Sequence, residues 1–185
     1  ESSHAPTFAE MIAERLGALS AEAKRFLETL ALCGRPMASE VVCEACGIAR
    51  ERQSLVTMLR ASRFIRSSGS SERIETYHDR IRDVLAADIA SEEARRIHGR
   101  IAGTPVERRS DDCEALFDHY RGAEDFENAS IQAGLAGEKA GGALAFDRSA
   151  SFYRHALALS PMSATAQAWR EGLASALANA GPPAG

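Results

Sequence analysis

Apolar residues recur at helical spacing along most of the 185 residues, one short β-type alternation flanks a Gly/Ser turn, and the charge balance shifts near Pro105. These three observations predict a mainly α-helical chain in two domains, residues 1–104 and 105–185. The first combines helices with one β-hairpin; the second is paired helices alone.

The first domain reads as follows. Thr7 is placed to cap a helix whose period is set by Phe8, Met11, Ile12, Arg15, Leu16 and Leu19. Ser20 opens a second helix with Ala23, Phe26, Leu27, Leu30 and Ala31 on one face, and Gly34-Arg35-Pro36 stops it. Ser39 is expected to cap a short third helix that ends at Gly47. A fourth runs from about Glu51 to Ala61, with Leu55, Val56, Met58 and Leu59 turned inward. The period then changes to two. Phe64–Ser67 and Arg73–Tyr77 read as strands around Ser68-Gly69-Ser70-Ser71, a hairpin. Helix, short helix, helix and hairpin in this order predict a winged helix, with 51–61 at the recognition-helix position. Two helices follow, one from Asp79 to Ala90 and one from Ser91 to Gly103.

Beyond Pro105 the character changes. Residues 1–110 carry 17 Lys/Arg against 16 Asp/Glu, whereas residues 111–185 carry 5 against 10. Four helices are expected near 112–122, 125–140, 143–159 and 163–179. Small residues such as Ala115, Ala123, Ala129, Ala150 and Ala156 stand where helices must approach closely. Phe126-Glu127-Asn128-Ala129 and Phe146-Asp147-Arg148-Ser149-Ala150 echo each other, as in degenerate tetratricopeptide-like helical hairpins. The start at Glu1 rather than Met, and the tail Gly181-Pro182-Pro183-Ala184-Gly185, are expected of a segment cut from a longer protein.

Composition excludes several function classes. A net charge of -4 and a pI near 5.8 argue against a dedicated basic nucleic-acid binder. Four cysteines are too few for a disulfide scaffold. No export signal and no stretch of roughly 20 apolar residues is visible, so a cytoplasmic protein without a membrane partner is expected. A phosphate-binding glycine loop, a dinucleotide glycine pattern and kinase catalytic elements are missing, so no catalysis, bound cofactor or metal is expected of this chain by itself.

Three groups of residues carry chemistry. Cys43-Glu44-Ala45-Cys46 has metal-ligand spacing, but no second pair completes a tetrahedral set, and two buried packing thiols explain it as well. Residues 47–82 hold eight arginines against four carboxylates, among them Arg50, Arg52, Arg60 and Arg63 on and around the fourth helix. These suit contacts to DNA or to a neighbouring domain. Tyr77-His78-Asp79 stands where the hairpin gives way to a helix. Asp79 is expected as its N-cap, holding the imidazole of His78 at the corner where it can meet an anion. His98, His119 and His155 lie on helices at unrelated spacings and read as partly buried or surface residues, and Trp169 is expected to pack within the last helical hairpin.

The last motif carries a resemblance. Tyr77-His78-Asp79 followed by Arg80-Ile81-Arg82-Asp83 is similar to the Met-His-Asp motif that ends the winged helix of plant disease-resistance proteins, relatives of the signal-transducing STAND ATPases that place a winged helix after their nucleotide-binding module. Tyr77 departs from the Met; His78 and Asp79 match. Leu30-Ala31-Leu32-Cys33-Gly34-Arg35-Pro36, Leu59–Arg66 and Ala145–Ala150 also resemble large bacterial serine/threonine protein kinases with an appended AAA/STAND ATPase and C-terminal helical repeats. The Arg- and Ala-rich, Lys-poor composition suits a high-GC bacterium. The resemblance implies a parent with ATPase and kinase activity that binds ADP or ATP. It also implies an upstream nucleotide-binding domain as partner of His78, and a protein partner for the helical repeats. A DNA-binding transcriptional regulator module is the competing reading.

Overall fold

The computed structural model describes residues 7–48, 52–69 and 73–181, the side chains of Phe8 and Ala9 excepted. The chain is mainly helical and divides into two compact units, Glu1–Thr104 and Pro105–Gly185.

In the first unit, α1 (Phe8–Gly17) begins with a capping box: Thr7 accepts from Glu10 N, and the Glu10 carboxylate accepts from Thr7 N. That hydrogen bonding holds the Glu10 carboxyl below the usual carboxylate range. α2 (Ala21–Cys33) is capped by Ser20 and stops at Gly34, which adopts the left-handed conformation that glycine takes without a Cβ penalty. Then come β1 (Met37–Ala38), α3 (Ser39–Cys46), α4 (Arg52–Ala61), β2 (Ile65–Ser67) and β3 (Arg73–Thr76). β3 lies in the middle of a sheet ordered β1-β3-β2, antiparallel to both neighbours, with Met37 opposite Ile74 and Ile65 opposite Thr76. α5 (Asp79–Asp88) and α6 (Ser91–Gly103) complete the unit.

Large side chains fill this core. Phe26, Leu27, Met37, Leu59, Ile65, Ile74 and Ile101 are fully buried. Burying one such residue contributes about 1.5–3 kcal/mol, so this contiguous cluster is the main source of stability here.

The α3 cap, one inward residue and one strand differ from the sequence reading. The N-cap of α3 is Ala38, not Ser39, and makes no side-chain cap bond. Pairing of Ala38 with Arg73 keeps Ala38 extended, so the helix starts one residue later and Ser39 becomes its first turn. Met58 faces outward, 38% exposed, because Leu55, Val56 and Leu59 already complete the buried stripe of α4. β1 was not expected at all.

In the second unit a single turn, α7 (Pro105–Arg108), precedes α8 (Cys113–Gly122), α9 (Phe126–Gly142), α10 (Phe146–Leu159) and α11 (Ala166–Ala180). Asp112 and Asp125 cap α8 and α9 through their carboxylates. The α8–α9 and α9–α10 turns are the same structure twenty residues apart. Glu124 and Leu144 both take left-handed backbone, φ 58° and 60°. Asp125 N and Ala145 N then donate back to Tyr120 O and Ala140 O at 2.9 Å each.

The interior of this unit is built from small residues. Ala129, Ala133, Ala136, Ala150, Ala156 and Ala166 are buried, and α9 offers glycines to aromatic rings. A Cβ at Gly134 would run into the Trp169 indole, and one at Gly172 would lie 2.5 Å from Tyr153 Cζ. Gly137 stands 3.1 Å from the same ring by the same measure. Trp169 of α11 therefore reaches α9, while also joining the buried cluster that includes Ala156 of α10.

Candidate functional site

The strand-to-helix corner is built from β3 outward. Ile74 anchors the strand in the core, and Tyr77 N donates to Phe64 O at 2.9 Å, carrying the strand direction past its last ladder residue. Tyr77 is half-buried against the core. His78 continues the extended backbone, φ −137° and ψ 146°, and is itself the N-cap of α5. The expectation that Asp79 caps the helix is thus corrected. Asp79 is already the first helical residue, because the extended chain runs one residue further than its motif suggests. Its carboxylate turns to Arg82, at 3.7 Å, and is 86% exposed.

The imidazole of His78 is exposed and makes no cap bond to the first turn. Its ring stands edge-on to Tyr77, centroids 4.8 Å apart and planes at 83°. Tyr77 therefore forms a half-buried wall beside the imidazole. The first-turn N–H groups of α5, at the positive end of the helix dipole, carry no capping side chain either. The same is true of α3, α6, α10 and α11, so the exposed imidazole, not the uncapped terminus, distinguishes this corner.

Beside the corner lies a polar cleft of about 40 Å³ that sequence reading missed. Arg35, Arg66 and Arg82 line it together with Glu75 and Asp79. Arg66 is held by Glu75 across the hairpin at 2.9 Å. The three guanidiniums come from the α2–β1 loop, β2 and α5. Sequence spacing carries no sign of this convergence, which only the sheet pairing creates. A cleft of this size holds about one water and cannot enclose a nucleotide.

The arginines of the α4 region form a separate group. Arg50 lies outside the described residues. Arg52 pairs with Glu40 at 3.1 Å, and with Arg60 it lines a hollow of about 100 Å³. Arg63 is exposed in the turn after α4, φ 56°. Asp79 lines one hollow and Arg52 and Arg60 another, so these two candidate groups do not share a site.

Cys43 and Cys46 are buried. Cys46 Sγ donates to Val42 O at 2.8 Å, and burial, reinforced by Cys43, pushes its pKa up to about 11. A thiol this hard to ionise is a poor metal ligand and a poor nucleophile at neutral pH. Among the described residues no cluster of three or more His, Cys, Asp or Glu could hold a metal ion. His119 is almost completely buried, and His155 packs beside Phe117 with centroids 5.4 Å apart. No described helix is long and apolar enough to cross a membrane.

No family model, no curated protein and no solved structure matches this chain.

Proposed function

We propose that this chain is a non-catalytic regulatory and interaction segment of a signal-transducing ATPase, of the kind linked to a serine/threonine kinase. In this reading the first unit is a winged helix and the second a tetratricopeptide-like array. The observation that carries it is the exposed His78 imidazole at the mouth of α5, set against Tyr77 and unengaged by the helix behind it. The order helix, β1, two helices, β2, β3, with β3 central in the sheet, supports the winged-helix assignment. The repeated α8–α9 and α9–α10 turns support the array.

In the parent, an upstream nucleotide-binding domain presents ADP to this corner. His78 donates a charge-assisted hydrogen bond to a phosphate oxygen, a contact of about 1.5–3 kcal/mol. Arg80 and Arg82 raise the local positive potential. Exchange of ADP for ATP removes or re-aims that contact and biases a two-state domain arrangement by the difference in its strength. Asp79, exposed and tied to Arg82, keeps the first turn of α5 in register rather than touching the nucleotide. The helical unit then engages a protein partner.

The test is His78→Ala in the parent protein. ADP retention weakens while the fold of this chain, followed by circular dichroism, is unchanged. Unaltered nucleotide exchange removes the sensor role. A second reading, a DNA-binding winged helix, is favoured by one observation: the outer side of α4 leaves Gln53, Thr57 and Arg60 exposed. It requires duplex binding that falls steeply with salt and is lost in Arg60→Ala.

A further inference from the structure

Within the second unit, α9, α10 and α11 leave a groove of about 410 Å³, in the size range of ligand sites. Its floor is aromatic. Trp169 and Tyr153 can lie there because Gly134, Gly137 and Gly172 carry no Cβ, as the close approaches above show. Its α9 wall is Ile131 and Leu135, each more than 40% exposed although large and apolar. Glu138 stands at the rim one turn beyond Leu135.

The charges around the groove decide what chemistry fits. Glu138 has no cation partner among the described residues. Two cations adjacent in sequence to groove residues are turned elsewhere, Lys139 Nζ donating to Asp111 O at 2.8 Å and Arg170 to Pro161 O at 2.9 Å, while Arg154, next to Tyr153, is exposed and does not line the groove. Glu127, exposed, lies on the same face of α9 one turn before Ile131, so carboxylates bracket the apolar strip over about 16 Å. Burial and the Glu138 carboxylate both push the Tyr153 hydroxyl up, which places that negative charge within electrostatic reach of the floor. Residues 111–185 as a whole carry twice as many acidic as basic side chains.

We infer that this groove takes a basic amphipathic peptide segment, with an apolar side chain seated on the Trp169–Tyr153 floor and an Arg or Lys side chain paired with Glu138. The inference rests on the reading of residues 105–185 as partner-binding repeats and names the partner's chemistry. An Arg head group suits the site doubly, since its aliphatic stem covers Leu135 and its guanidinium can stack on an indole or phenol face.

The chain reports on its own occupancy, because Trp169 is its only tryptophan. The experiment titrates the 185-residue chain with a blocked peptide of roughly ten residues alternating Leu, Gln and Arg, long enough to span the groove. Counterparts carry Glu or Gln in place of every Arg. The basic peptide gives a saturable change in Trp169 emission, weakened about tenfold by Glu138→Gln and further by added salt. A chain of unchanged circular dichroism accompanies each variant. Equal binding of the basic peptide by Glu138→Gln, or tighter binding of the acidic one, overturns the inference while leaving the repeats a partner-binding surface. Silence with all three peptides overturns both.

Discussion

The two units are stabilised by opposite means. Residues 1–104 surround Phe26, Leu27, Met37, Ile65 and Ile74 with other large side chains, whereas residues 105–185 bring helices together over alanine and glycine and slot two aromatic rings between them. The first arrangement gains by volume, the second by closeness. It follows that the most damaging kind of substitution differs between the two halves.

The largest effect is expected in the first unit. Phe26→Ala removes a fully buried ring and costs about 3–5 kcal/mol, measured by urea unfolding followed by circular dichroism. A loss below about 1 kcal/mol would mean the core collapses around the gap. In the second unit the damaging change runs the other way. Ala133 is fully buried among Phe117, Ala129, Ala156 and Trp169, and Ala133→Leu overpacks that site by about 1–3 kcal/mol, read from Trp169 fluorescence.

A smaller effect lies in the repeated turn. Leu144 is 74% exposed and holds left-handed backbone that an L side chain resists. Leu144→Gly relieves that strain and stabilises the second unit by about 1 kcal/mol or less, because glycine also frees the unfolded chain. The smallest concerns Glu28 in the first unit. Burial, with Glu93 and Asp88 nearby, raises its pKa above the ordinary 4.5 despite Lys24 and Arg25. A raised folded value means its stability contribution is complete below the unfolded pKa and is lost as pH rises through the folded one. Glu28→Gln therefore stabilises the chain at about pH 7, with the advantage fading toward about pH 4. Equal stability at both ends of a pH series of urea midpoints would contradict that origin.

Most helix limits were legible because local chemistry sets them. Thr7 and Ser20 cap where their oxygens can reach the next free N–H groups, and Gly34 and Gly47 end helices in the left-handed region that suits glycine. The misses depend on pairing between distant segments. β1 is two residues long and has no period of its own; it exists because Met37 and Ala38 meet β3. The same pairing moves the start of α3 off Ser39. Likewise the strand direction persisting through Tyr77 makes His78, not Asp79, the cap of α5. At the candidate corner, His78 could be singled out from its motif, but Arg35 and Arg66 could not, since the loop and strand that carry them converge only in the folded sheet. The aromatic groove was hidden for a related reason. Gly134 and Gly172 look like weak points in helices until Trp169 and Tyr153 are seen to need the space.

The account turns on the outward-facing imidazole at residue 78, and the rate at which bound ADP leaves the parent protein tests it most directly. His78→Ala should speed that release about ten- to a hundredfold, the equivalent of a contact worth about 1.5–3 kcal/mol, while Arg60→Ala, in the separate α4 group, leaves it unchanged. Release at the unaltered rate in His78→Ala would contradict the account.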